Sequence, residues 1–186
     1  MSKLKKNIIY IIAAVIVVGI VIFSISKLSN NSFKKIDLDN YKNNNMVINT
    51  TNVAYLDTIS YIGLDQMNVN NVNLMITKTN SEILKHLKND IKTEAFINKN
   101  GNHSYSMYID INSINSRNEY IKTISHELIH LNQYENGDLK ALHHNIFVFK
   151  GDTVNANKIN YNKRVWELEA YRKQYNLSDK IESIVW

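Results

Sequence analysis

The sequence predicts an α+β domain that follows an N-terminal transmembrane helix. An almost wholly apolar run occupies residues 8–25. After it, short segments of alternating polar and apolar residues, typical of strands, are mixed with segments whose apolar residues recur at helical spacing. Their order fits a small mixed sheet packed on helices. We therefore expect a cytoplasmic tip and anchor at 1–27, a linker at 28–50 and one folded domain at 51–186.

The apolar run from Ile8 to Ile25 has nearly the length of about 20 residues that a helix needs to cross a bilayer core. Three basic residues precede it, Lys3, Lys5 and Lys6. This charge bias places the N-terminus in the cytoplasm and the domain outside, as a single-pass membrane protein. A cleaved signal peptide is the alternative, but the run is long for that role and Ser24-Ile25-Ser26 is a poor cleavage site.

The next segments predict a linker and the first elements of the domain. Residues 28–50 are rich in Asn, Ser and Lys, which is typical of a juxtamembrane linker. Residues 53–64 are apolar, but their pattern does not decide between helix and strand. Residues 72–76 alternate like a strand, and residues 81–88 carry apolar side chains on one side of a predicted helix.

A hairpin and a later strand complete the predicted sheet. Residues 93–97 and 104–111 read as strands, and the polar link between them contains Asn100-Gly101, a hairpin signal. Residues 146–152 predict another short strand and a turn.

A long helix is predicted from about Arg117 to about Asn136. Ser116 with Glu119 three residues later reads as a capping box at its start, and Gly137 offers a C-terminal stop. Four apolar residues inside it recur at helical spacing: Tyr120, Ile124, Leu128 and Leu131.

This helix contains the motif H-E-x-x-H, formed by His126, Glu127 and His130. Positions i and i+4 lie on one face, so both imidazoles can bind one Zn²⁺ at about 2.0–2.1 Å. Apolar neighbours surround them, and buried ring nitrogens need partners, which a metal supplies. Glu127 points about 100° away from His126, so it is expected to act as a general base. The alternative is a pair of partly buried histidines without a metal.

A catalytic zinc site needs a third protein ligand. The sequence does not match the extended motif H-E-x-x-H-x-x-G-x-x-H, which supplies a third histidine. Gln133 occupies the position of its glycine and Asn136 that of its last histidine. The chain has no cysteine. The ligand is therefore expected to be a carboxylate or one of the remaining histidines.

A second helix, predicted at 163–175, offers the best carboxylate. Glu167 shares one face of it with Ala170, Tyr171 and Gln174, and small Ala170 permits close approach to the motif helix. Glu169 falls on another face, where it is expected to face solvent and pair with Lys173 at i, i+4. Glu167 is therefore assigned to the metal, with two surface glutamates as the alternative.

The segments H-E-L-I-H-x-x-Q-Y and Y-x-x-R-x-W-E-x-E-A-Y resemble small gluzincin-type metallopeptidase domains of bacterial and phage proteins. The resemblance covers residues 70–176 roughly and departs at Val165, where proline is expected. It implies a zincin-like fold in which His126, His130 and Glu167 bind Zn²⁺ and Glu127 is the base. In such peptidases the sheet edge beside the metal commonly holds an extended substrate, and Tyr105–Ile111 is the candidate for that edge. In related patterns a polar residue four positions after the glutamate supports a ligand histidine, which here is Tyr171.

Further side chains are candidates for supporting roles. Tyr161 precedes the glutamate helix and could point its hydroxyl into the cleft, although ordinary packing is the alternative. His143 and His144 are each candidates to stabilise an oxyanion or to replace Glu167 as ligand. Zn²⁺ would polarise the scissile carbonyl and activate water, and Glu127 would move the proton to the leaving amine.

The composition narrows the functional classes. The net charge of +5 includes the three lysines before the anchor, and no basic stripe is interleaved with aromatic residues, so nucleic-acid binding is poorly supported. We expect a membrane-anchored zinc metallopeptidase acting on peptide or protein substrates outside the membrane. The alternatives are a membrane-tethered binding or assembly module with a structural zinc, and an accessory protein without metal.

Overall fold

The computed structural model describes residues 34–80, 82–84, 94–143 and 145–186. The helices and strands given below all belong to one unit, Ile36–Val185. The fold is a small mixed α+β domain, as the sequence predicts. The apolar run at 8–25 lies outside the described residues. Within the described part of the chain, no helix combines the length and the apolar character needed to cross a membrane.

The main sheet has four strands in the order β1-β2-β4-β3. These are β1 (Met46–Asn49), β2 (Asn73–Lys78), β3 (Ala95–Gly101) and β4 (Ser104–Ile109). The pairs β1–β2 and β2–β4 are parallel, and β3 pairs antiparallel with β4. Since parallel neighbours cannot be joined by a tight turn, helix α1 (Leu56–Gln66) connects β1 to β2. Of the undecided segment at 53–64, residues 56–64 are therefore helical.

The prediction that Tyr105–Ile111 form the substrate-binding edge of the sheet is wrong. The predicted hairpin is present, but β4 lies between β2 and β3, so Tyr105–Ile111 is not at an edge. On this side the last of the described strands is β3, which pairs with β4. Strand order depends on the distant parallel pairing of β2 with β4, and such a pairing has no local signal in the sequence.

Part of the segment assigned to a linker belongs to the sheet. Within residues 28–50, Leu38–Asn40 form a short 3-10 helix and β1 forms the other edge of the sheet. No residue of β1 is buried, which explains why a polar composition is compatible with a strand here. Of the helix expected at 81–88, residues 82–84 are helical and the remainder lies outside the described part.

The motif helix is present as predicted and is named α2 (Arg117–Glu135). The Ser116 side chain accepts a hydrogen bond from the Glu119 backbone N–H at 3.2 Å, and Glu119 Oε2 accepts one from the Asn115 N–H at 2.7 Å. Gly137 follows the helix with φ of 74°, the left-handed conformation that glycine adopts most readily. Local signals in the sequence therefore fix both ends of this helix.

The glutamate helix is longer than predicted. Helix α3 (Val165–Val185) begins two residues later and ends ten residues later than the expected 163–175. Its second half buries three apolar residues at i, i+4 and i+8: Leu177, Ile181 and Val185. This spacing continues the amphipathic pattern beyond Tyr175, so the prediction ended too early. Helices α2 and α3 lie side by side, and this contact brings the two motifs together.

A second sheet separates the two motif helices in sequence. It contains β5 (Leu139–His143), β6 (Ile146–Phe149) and β7 (Asp152–Asn155) as an antiparallel meander. The sequence predicts only the middle strand and its turn, because β5 is exposed at four of five positions. A small apolar cluster lies beside this sheet: Leu139, Phe149, Ala156 and Trp166, with Tyr134, Phe147 and Val154 against it.

Gly63 in α1 occupies a point where three helices meet. A Cβ added there would lie 2.5 Å from Leu128 Cδ1 of α2 and 3.4 Å from Ile181 Cδ1 of α3. Alanine is favoured over glycine by about 1 kcal/mol in a helix, but overpacking costs about 1–3 kcal/mol. We expect Gly63→Ala to lower the free energy of unfolding in urea denaturation. A stabilised variant would contradict the close packing at this position.

Candidate metal centre

Helix α2 places both motif histidines on one buried face. His126 and His130 are buried, and their Nε2 atoms lie 3.1 Å apart. The spacing of four residues on a regular helix accounts for this approach. The two rings are nearly perpendicular, with an interplanar angle of 87°, so they converge through their nitrogens rather than by stacking.

Glu167 joins them from the first turn of α3. Its Oε2 lies 3.2 Å from His126 Nε2 and 3.2 Å from His130 Nε2. The preceding residue, Trp166, belongs to the apolar cluster beside the second sheet, and its ring lies 5.0 Å from that of Phe147. Packing of Trp166 therefore holds the beginning of α3 against the site.

The three atoms form a nearly equilateral triangle with sides of 3.1–3.2 Å. Tetrahedral ligands at about 2.0–2.1 Å from a zinc ion are separated by about 3.3 Å, so the triangle has the dimensions of such a site. These three side chains form a group able to hold a metal ion, as the sequence predicts. Among the described residues they supply three protein ligands.

Hydrogen bonds at the other ring nitrogens favour metal binding. His126 Nδ1 lies 2.8 Å from Gln174 Oε1, and His130 Nδ1 lies 2.8 Å from Gln133 Oε1. An amide oxygen only accepts, so each neutral ring donates through Nδ1–H and keeps a lone pair on Nε2. Two lone pairs and a carboxylate oxygen therefore face one point, and a cation satisfies all three.

The charge around His130 also indicates a cation site. Burial lowers the pKa of this ring, but the charge and hydrogen bond of Glu167, together with Glu127 and Gln133, outweigh burial and leave the pKa raised. Protons and a metal ion compete for the same nitrogen, so metal affinity is expected to weaken as the pH falls.

Glu127 lies beside the three ligand atoms and lines the adjacent cleft. It is buried, with 4% of its surface exposed, and its charge contributes to the raised pKa of His130. The cleft has a volume of about 650 Å³, and β3, α2 and α3 all contribute to its walls. Glu127 is therefore placed to act on a molecule that occupies the cleft next to the metal position.

Three tyrosines surround the carboxylates. Burial, followed by the charges of Glu167 and Glu127, raises the pKa of Tyr134 to about 12. The same causes raise the pKa of Tyr161 and of Tyr171, and the Tyr161 hydroxyl also donates a hydrogen bond to Glu167. These hydroxyls stay protonated near neutral pH. Tyr161 lines the cleft as the sequence suggests, and Tyr134 has no counterpart in the sequence prediction.

Tyr171 meets His126 through its ring, with the two ring centroids 4.5 Å apart. The side chain that hydrogen-bonds His126 Nδ1 is instead Gln174, three residues later on the same face of α3. His143 is exposed at the end of β5 and is not part of the three-ligand group. His144 lies outside the described residues.

The prediction that Glu169 faces solvent is wrong. Glu169 pairs with Lys173 as predicted, but it is not solvent-facing, since only 6% of its surface is exposed. Lys150 Nζ also donates to Glu169 Oε2 at 2.6 Å. Lys150 lies in the turn between β6 and β7, 19 residues away in sequence, so this ion pair cannot be inferred from helix periodicity. It ties the second sheet to α3.

The Glu169 ion pairs predict an acid-sensitive contribution to stability. Burial raises the pKa of Glu169, but Lys150 and Lys173 outweigh burial and lower it overall. The Glu169 carboxylate therefore contributes to the unfolding free energy above its unfolded-state pKa of about 4.3. This contribution disappears as the pH falls through the lower folded-state pKa. We expect Glu169→Gln to lower the unfolding free energy by about 1 kcal/mol at neutral pH.

Urea denaturation across the acid range checks this prediction. The difference in unfolding free energy between the wild type and Glu169→Gln should narrow as the pH falls below about 4. A difference that stays constant with pH would show that the Glu169 carboxylate contributes through packing alone.

No protein-family model matches this chain, and no curated protein matches it either.

Proposed function

We propose that this protein is a zinc-dependent peptidase that hydrolyses peptide bonds in the cleft beside His126, His130 and Glu167. The observation that carries the proposal is the convergence of three ligand atoms next to a buried glutamate and a solvent-accessible cleft. Two imidazole nitrogens and one glutamate oxygen are a ligand set used by catalytic zinc in peptidases. The ligand types support zinc over magnesium or calcium, which prefer oxygen ligands.

Zinc bound by these three side chains would supply a Lewis acid for the substrate carbonyl. The Glu127 carboxylate accepts a proton from the attacking water and returns it to the nitrogen of the leaving amine. Glu167 and both histidines would hold the metal, and the Gln174 and Gln133 amide oxygens accept hydrogen bonds from the two rings. Tyr161 restrains Glu167 by its hydrogen bond and keeps a protonated hydroxyl at the cleft wall.

The substrate is an extended peptide that lies along β3. Among the described strands β3 is last in the order of the sheet, and its first residue, Ala95, lines the cleft. The preceding Glu94 is joined to α2, because its Oε2 accepts a hydrogen bond from Thr123 Oγ1 at 3.1 Å. A strand at the edge of a sheet can add a peptide as a further strand through backbone hydrogen bonds.

A structural zinc site in a binding or assembly module is the rival function. Structural zinc sites are normally closed by four protein ligands, whereas catalytic sites have three and an open position. Three ligands are found among the described residues, and Glu127, which metal binding does not require, lines the cleft beside them. Both observations favour hydrolysis.

A proteomic cleavage profile tests the proposed activity. The zinc-loaded full-length protein is incubated with a mixture of denatured proteins, and new N-termini are identified by mass spectrometry. We expect new termini that are missing when Glu127→Gln replaces the wild type. Identical profiles for the two proteins, with zinc bound to both, would contradict the proposed reaction.

We also propose that the domain is tethered on the outer side of a membrane. The support is the sequence alone: the apolar run at 8–25 behind Lys3, Lys5 and Lys6. The chain has no cysteine, so single reporter cysteines can be introduced cleanly. In intact cells an impermeant thiol reagent should label Ser32→Cys and not Ser2→Cys. The reverse labelling would show the opposite orientation.

A further inference from the structure

Gln133 contacts both halves of the candidate metal centre. It lies on α2, three residues after His130, and only 2% of its surface is exposed. Its Oε1 accepts the hydrogen bond from His130 Nδ1 at 2.8 Å. Its Nε2 donates to the backbone oxygen of Trp166 at 3.1 Å. Trp166 immediately precedes Glu167, so one side chain contacts a ligand on α2 and the segment that carries the ligand on α3.

The two hydrogen bonds depend on each other. A carbonyl oxygen only accepts, so the bond to Trp166 assigns the NH₂ group of Gln133 to that side and turns its oxygen toward His130. The oxygen then requires the proton of His130 on Nδ1 and leaves the lone pair on Nε2. The contact with α3 therefore determines which nitrogen of His130 is available to a metal.

Without this acceptor the ring has another stable arrangement. His130 Nε2 lies 3.2 Å from Glu167 Oε2, so a proton on Nε2 would be held by that carboxylate. This tautomer joins the two ligands to each other and removes the lone pair that a metal needs. The hydrogen bond to Gln133 opposes this tautomer, and a carboxylate or carbonyl commonly has the same role beside metal-binding histidines.

We propose that Gln133 is the positioning residue that keeps His130 in its metal-binding tautomer and couples it to the position of Glu167. The proposal deepens the zinc site proposed above and rests on it for its consequence in metal affinity. It makes a separate statement about the metal-free protein, because the tautomer of His130 is set by Gln133 before any metal binds.

Nitrogen NMR of the histidine rings tests the tautomer in the metal-free full-length protein, at a pH well above the histidine pKa. We expect His130 to carry its proton on Nδ1 in the wild type. In Gln133→Met, which keeps the side-chain length and removes both polar atoms, the proton should move to Nε2. Gln133→Glu retains an acceptor, so its His130 should stay protonated on Nδ1.

The NMR result can overturn the proposal without any variant. A wild-type His130 with its proton on Nε2 contradicts the assignment directly, even if Gln133→Met does not fold. The same tautomer in Gln133→Met and in the wild type also contradicts it, because the ring would then be oriented by something other than Gln133.

Zinc affinity, measured by competition with a chelator, is the second readout. Gln133→Met is expected to raise the dissociation constant about 10- to 100-fold, the usual effect of losing a residue that supports a ligand. If the wild type binds zinc and Gln133→Met binds it with the same dissociation constant, the proposed coupling of His130 to Glu167 through Gln133 is wrong. A wild type that binds no zinc would instead overturn the proposed function, while the tautomer measurement would still decide the role of Gln133.

Asn45 provides a matched control. It is also a buried amide with two hydrogen bonds, from its Nδ2 to the oxygen of Val69 at 2.8 Å and from the N–H of Val72 to its Oδ1 at 3.0 Å. Asn45→Ala should lower stability and leave both the His130 tautomer and the zinc affinity unchanged. If Asn45→Ala weakens zinc binding as much as Gln133→Met, the effect is general destabilisation and the proposal fails.

Discussion

Glu127→Gln is expected to lower kcat for peptide hydrolysis by about 10²- to 10⁴-fold, the usual contribution of general acid–base catalysis. Glutamine has the shape of glutamate, but its amide cannot accept the proton of the attacking water. The three ligand atoms belong to His126, His130 and Glu167, so zinc content should stay at one ion per chain. The loss should therefore fall on kcat, with the metal retained.

The control for this variant is Glu135→Gln on the same helix. Glu135 is the last residue of α2 and accepts a hydrogen bond from the Tyr105 hydroxyl. Its glutamine variant can still accept that bond and should hydrolyse at the wild-type rate. Steady-state kinetics and metal analysis of both variants test whether Glu127 is the general base. Wild-type turnover by zinc-loaded Glu127→Gln would require another base.

Zinc affinity is expected to distinguish Glu167 from Glu169, which lie two residues apart near the beginning of α3. Glu167 Oε2 lies at 3.2 Å from both histidine nitrogens. Glu167→Ala should therefore weaken zinc binding strongly. Loss of a residue that only supports a ligand typically weakens it about 10- to 100-fold, and loss of the ligand itself should exceed that effect. His126→Ala and His130→Ala should have a similar effect. Glu169 pairs with Lys150 and Lys173, so Glu169→Ala should retain zinc.

Thermal unfolding with and without zinc measures the same difference independently. A ligand that binds only the folded state raises the melting temperature, so zinc should raise that of the wild type and of Glu169→Ala, but not that of Glu167→Ala. Glu169→Ala should itself lose about 1–3 kcal/mol of stability through its broken charged hydrogen bonds. If Glu167→Ala retains zinc and Glu169→Ala loses it, the third ligand is Glu169 and not Glu167.

The motif helix and its partner glutamate could be predicted because their signals are local. Ser116 and Gly137 mark the two ends of α2, and a spacing of four residues brings His126 and His130 together on any regular helix. Glu167 could be chosen over Glu169 because it shares a face with small Ala170, and the structure places it in the three-ligand group.

Other features depend on residues far apart in the chain. The burial of Glu169 requires Lys150 from a turn of the second sheet, and helix periodicity alone suggests solvent there. The position of β4 inside the sheet requires its pairing with β2. The role of Gln133 emerges only when α2 and α3 are placed side by side, because its donor group bonds the backbone of the other helix.

Hydrolysis of one defined peptide by the full-length protein, before and after removal and return of zinc, tests the central claim most directly. The peptide is taken from the cleavage profile, and the products are weighed by mass spectrometry. For a zinc peptidase we expect two fragments whose masses sum to that of the peptide plus one water. Cleavage should stop after chelation and return with one equivalent of zinc. Cleavage that persists without metal, or intact peptide in the presence of zinc-loaded protein, would contradict the central claim.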